Sequence, residues 1–254
     1  MNNFKKYLVA LIFSVVFIPT FVFASDDNDF EILSENTKYF KTITYSNVNS
    51  LLRLNALPYS ESFEVSKEEY ELANENSSIT LADYSGTTET TYKKMTTTIA
   101  SNGNYYRYKV VLNWKNIPST RSYDIIAIGF YSNLRVNSSL NFKQEYCYSS
   151  GSCSSSTTNY PQTFDAGAGT TFKLPTGDLS SLKQTLYFDV AKEVNSTIIS
   201  QGAYGDYSHA TSSISLTNAK KYTVNKDNGI ILNSSVSSYY DSISVARASW
   251  SGSW

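Results

Sequence analysis

The sequence predicts an all-β protein: an antiparallel β-sandwich of about ten strands, jelly-roll-like or immunoglobulin-like in general architecture, preceded by a short mixed region with helical signals. Three observations predict it. About a quarter of the 254 residues are Ser or Thr and 21 are Tyr, residue types that suit the pleated, half-buried surface of a sheet and its turns. Apolar and polar residues alternate with period two in segment after segment, and Gly- and Asn-rich turn signals separate the segments. With 15% aromatic residues, the chain does not have the composition of a disordered one.

Residues 1–24 read as a secretory signal peptide. Lys5 and Lys6 precede an apolar run from Leu8 to Phe23, and Val22 and Ala24 put small residues ahead of a cleavage point at Ser25. The run is short for a membrane span, and Pro19 within it and the acidic SDDND after it favour cleavage. The expectation is an exported protein, secreted or held at a cell surface by non-covalent contacts, with no stable membrane span after signal cleavage.

Residues 25–83 read as an acid-rich N-terminal arm or linker with one or two short helices. Val48, Leu51, Leu52 and Leu54 recur at helical spacing and stop before Pro58. Ser66 stands three positions before Glu69, the pattern of a capping box, and predicts a short helix through Ala73. Asp26, Asp27, Asn28 and Asp29 resemble the start of a calcium loop but lack its glycine and its later glutamate.

Residues 84–254 read as the sandwich. TTYKKMTTTIA and YYRYKVVLNW flank Asn102-Gly103-Asn104, a hairpin signal. In the second segment Tyr106, Tyr108, Val110, Leu112 and Trp114 share one face. YDIIAIGFY is apolar on both faces, as a strand covered on both sides would be. SLNFKQEYC leads to Cys147 and Cys153 astride Ser-Ser-Gly-Ser, and in an exported protein this pair predicts a disulfide closing a hairpin tip. Further strands are expected at TTFKLP, LKQTLYFDVAK, STIISQGAY, SSISL, KKYTV, GIIL and DSISVARASW, with one helical turn in NSSVSSYYD.

Composition excludes several functions. The 21 basic and 22 acidic residues nearly cancel, so no field steers the chain onto nucleic acid. One histidine, His209, rules out a multi-histidine zinc site, and no metal or other cofactor is expected. No Walker loop, no G-x-G-x-x-G after a strand and no G-x-S-x-G elbow is present. Glycoside hydrolysis survives, because it needs only two carboxylates; Glu145, Asp165, Asp178, Asp189, Asp206 and Asp241 are available.

The candidate site is the stretch AYGDYSHATSS. Asp206 is placed to orient His209, with Tyr204 and Tyr207 as exposed walls of a ligand site; the competing reading is a loop whose polar groups bond nearby backbone. Trp250 and Trp254 bracket the terminal WSGSW and offer stacking surfaces, or Trp250 packs inward from an edge strand. These residues make a secreted, non-catalytic β-sandwich that binds a cell-surface glycan or protein the leading expectation. A β-pore-forming toxin is the alternative from another class, although adjacent Lys93 and Lys94 put a charge on the lipid face of its best hairpin. A structural surface or matrix subunit is the third.

Overall fold

YYRYKVVLNW sets the pattern for the molecule: Tyr106, Tyr108, Val110, Leu112 and Trp114 are all buried and the residues between them are half-exposed. The computed structural model describes residues 29–46, 59–73, 87–131, 133–192 and 198–252. Among these the strands are β1 (Glu31–Ser46), β2 (Tyr59–Val65), β3 (Thr87–Ser101), β4 (Tyr106–Trp114), β5 (Tyr123–Phe130), β6 (Leu134–Val136), β7 (Asn141–Tyr148) and β8 (Cys153–Ser156). They continue as β9 (Tyr160–Phe164), β10 (Gly167–Lys173), β11 (Leu179–Lys192), β12 (Ser200–Ser208), β13 (Tyr222–Asn225), β14 (Gly229–Leu232) and β15 (Ala246–Ser251). Two short helices, α1 (Lys67–Leu72) and α2 (Leu216–Ala219), complete the elements used below.

Two antiparallel sheets pack face to face. The larger runs β2-β1-β3-β4-β11-β7-β8, with β6 on β11; the smaller runs β15-β12-β5-β10-β9. Met95, Ile99, Tyr108 and Leu186 of the first meet Ile126, Ile128, Phe130 and Tyr207 of the second in one apolar core. The β13–β14 hairpin covers the other face of the smaller sheet, against Ile125 and Ala127. The strand YDIIAIGF is therefore buried on both sides, as its unbroken apolar run predicts. The β3–β4 hairpin forms around Asn102-Gly103-Asn104 as expected, with Ser101 opposite Tyr106.

The region before residue 83 departs from the expected arm. Residues 31–46 form a sixteen-residue strand paired along its length with β3, and β2 pairs with its far side. The physical reason is an alternation hidden among polar residues: Phe40 and Thr42 point into the core, at 1% exposure each. The helix after Ser66 forms as the capping box predicts, with the Glu69 N–H donating to Ser66 Oγ at 3.1 Å. The predicted leader and the helical signal at Val48–Leu54 lie outside the described residues.

Two further expectations are corrected. SSISL is not a strand; Ser215 caps the single turn of α2. AYGDYS is not a loop but the second half of β12, an interior strand of the smaller sheet. It reads as a loop because its polar groups find partners far away in the chain. Where β12 ends, the chain turns out of the sheet through His209 and Ala210, which bridges to Tyr240.

Candidate functional site

Acid–base groups gather where β12 leaves the sheet. Lys93, on the core-facing side of β3, is fully buried and ion-paired with Asp241, which follows the 3-10 turn at Ser237–Tyr239. Asp241 Oδ1 also accepts the His209 N–H at 2.7 Å, and Oδ2 accepts the Thr42 hydroxyl at 3.3 Å. The Lys93 ammonium lies 4.9 Å from the ring centre of Trp114 and 5.6 Å from that of Tyr207, so a buried cation is held by one carboxylate and two aromatic faces.

Asp124 is the second centre. The sequence hides it inside an apolar strand, and it is fully buried. It accepts the Tyr207 hydroxyl, the Ala210 N–H at 2.9 Å and a contact from His209 Nδ1 at 3.0 Å. The imidazole packs edge-on to Trp114 at 5.3 Å. Arg121 lies nearby with its pKa lowered, burial outweighing the attraction of Glu89 and Asp124.

Asp206 does not orient His209. An odd separation along an extended chain puts the two side chains on opposite faces. Asp206 faces the β13–β14 hairpin, where Oδ2 accepts the Ile230 N–H and Oδ1 that of Tyr207, each at 2.7 Å. Burial pushes its pKa up to about 7, against the pull of those two N–H groups. Asp206 and Asp241 line the same cavity of about 260 Å³, together with Ser208, Tyr240 and Ser242.

The other sequence-predicted residues are dispersed. Tyr204 and Tyr207 are not an exposed pair: Tyr207 is fully buried and Tyr204 is 5% exposed. They alternate across β12, and the Tyr204 hydroxyl reaches Tyr131 at 3.3 Å beneath the Arg247 guanidinium. Trp250 is half-buried and packs on Tyr106 at 5.4 Å, an inward-facing edge residue rather than a stacking platform. Trp254 lies outside the described residues. Cys147 and Cys153 face each other across β7 and β8 and form the expected disulfide.

An open cleft lies elsewhere. The β7–β8 hairpin stands beside the ends of β5 and β10 and the start of β9, enclosing about 370 Å³. Tyr123, Tyr146 and Tyr160 line it with Lys173, Ser156 and Thr158. The sequence did not mark these residues as a site, because a tyrosine at the end of a strand looks the same whether it packs or lines a cleft. Lys93 and Asp124 did leave a signal: each is a charge at a core-facing position of an alternating or apolar strand.

Comparison of the chain with protein-family models and with curated proteins finds no match. Among the described residues no group of three or more His, Cys, Asp or Glu side chains is arranged to hold a metal ion. No helix among them is long and apolar enough to cross a membrane.

Proposed function

We propose that this protein is exported and acts outside the cell as a non-catalytic β-sandwich that binds a cell-surface ligand, a glycan or another protein. The observation that carries the reading is the contrast between its two polar regions. His209, the one histidine of the sequence, is buried against Asp124, and among the described residues no serine or threonine hydroxyl is hydrogen-bonded to it as a nucleophile would be. The tyrosine-walled cleft is open and presents aromatic rings and hydroxyls together, the usual composition of a recognition site. The leader-like start and the disulfide support an oxidising, extracytoplasmic setting.

The test is saturable binding of the purified protein, disulfide intact, to a broad glycan array, to isolated cell walls and to intact cells. Specific binding to any of the three is expected; failure on all of them ends the reading. One observation favours a second reading, glycoside hydrolysis. Asp206 and Asp241 line one cavity in unlike states, the first held up to about 7 and the second ion-paired with Lys93, the asymmetry that acid and base carboxylates need. Release of reducing ends from polysaccharides, abolished by Asp206→Asn, would replace the binding reading with this one.

A further inference from the structure

We propose that the cleft beside the β7–β8 hairpin is a subsite for an anionic sugar residue, with Lys173 as its ion partner and Tyr123, Tyr146 and Tyr160 as its walls. This rests on the ligand-binding reading above and names the ligand class and the place.

The cleft follows from topology. The chain passes from the larger sheet at β8 to the smaller at β9 through residues 157–159, and the cleft is lined from both sides of this crossing. Tyr146 reaches the opening from β7, Tyr160 from the first position of β9, and Tyr123 from the first position of β5. Tyr123 and Tyr160 meet edge to face at 6.4 Å. The floor is fixed: Gln144 donates to the Lys173 carbonyl at 3.2 Å and accepts from Gln184 at 3.2 Å. The disulfide pins the hairpin that carries Tyr146 and Ser156, so little ordering remains for a ligand to impose.

Charge selects the ligand class. Lys173 is exposed, its ammonium lies 6.0 Å from the Tyr123 ring centre, and no Asp or Glu lines the cleft. A lone ammonium in a cleft without a carboxylate attracts an anion. The remaining lining selects a sugar over a simple anion. Tyrosine rings offer flat faces to the C–H side of a pyranose. Ser156 Oγ accepts the Thr158 N–H at 3.2 Å, leaving its own proton to donate outward. A volume of about 370 Å³ lies at the lower end of ligand pockets, which start at roughly 300 Å³, and suits one or two rings.

The experiment is titration of the purified protein with tetragalacturonate, a chondroitin sulfate tetrasaccharide and sialyllactose, against cellotetraose and lactose as neutral counterparts. At least one anionic sugar is expected to bind about tenfold or more tighter than the neutral ones. That preference should shrink as salt rises and disappear in Lys173→Gln. Tyr160→Ala should weaken both classes. Because Lys173 is exposed, Lys173→Gln should unfold at the same temperature as the wild type, which keeps the comparison clean. Equal affinity for charged and neutral sugars, or unchanged binding by Lys173→Gln, overturns the proposal. Binding to cell walls or to a protein without any anionic-sugar preference overturns it while leaving the broader reading intact. No binding to sugars, walls or cells removes both.

Discussion

Asp206 ties the β13–β14 hairpin to the smaller sheet, and its protonation should be felt in stability. Its folded pKa, near 7, stands above the ordinary value of 3.8 because it is buried. The protonated form is thus favoured by folding, and its contribution is fully present below about pH 4 and is lost as pH rises through 7. A rise of that size corresponds to about 4 kcal/mol. Urea unfolding should show wild type losing stability relative to Asp206→Asn between pH 4 and pH 8; parallel profiles would refute the assignment. Lys93 predicts a second effect on stability, of similar size. Lys93→Met leaves Asp241 buried without its cation and should cost roughly 3–5 kcal/mol, with Lys93→Met/Asp241→Asn recovering part of it. If the single variant unfolds at the wild-type urea concentration, the pair carries no weight. At this scale the sequence was partly legible. His209 and Asp206 stood out by residue type, but His209 meets Asp124 and Asp241 from 85 and 32 residues away, Asp206 meets Ile230 from 24, and Lys93 meets Asp241 from 148. No local pattern encodes such a meeting.

Single elements were the most legible level. Alternation located β4 and β11, an Asn-Gly turn located the β3–β4 hairpin, and Ser66 with Glu69 located α1. The failures share a cause. β1 carries only Phe40 and Thr42 as fully buried residues in its described length, so its pattern is faint against its polar neighbours. β12 is rich in Gly, Tyr and Ser and holds Asp206, which local propensity assigns to loops, although Asp206 accepts from Ile230 on another strand as well as from its neighbour Tyr207. The disulfide permits a test at this scale. Its cysteines are six positions apart, so loop-closure entropy gives about 2 kcal/mol. Cys147→Ser/Cys153→Ser should lower stability by about that amount and loosen hydrogen exchange in β7 and β8 alone. Loosening spread over both sheets would mean that the bond supports the whole sandwich.

For the whole molecule, the decisive dimension is the gap between the sheets. Gly205 sits on the core-facing side of β12, where an added Cβ would run into the Thr97 hydroxyl and lie 2.8 Å from Val110 Cγ2. Neither neighbour is the free end of a flexible side chain. Gly205→Ala should therefore push β12 away from β3 and β4 and cost about 1–3 kcal/mol, read as a lower thermal midpoint. Full wild-type stability would mean the layers are less closely packed than these contacts imply. The sequence by itself determined the class of this protein: its strand-forming composition, period-two alternation and turn residues point to an antiparallel all-β fold, and two cysteines astride a turn point to a hairpin disulfide. Those are local properties, written within a few neighbouring residues. Only the tertiary structure decided that AYGDYS is a buried strand, that Lys93 faces inward onto Asp241, and that three tyrosines meet Lys173 in a cleft. Each depends on which distant strands become neighbours, and that is settled by the collective fit of two sheets rather than by any one segment.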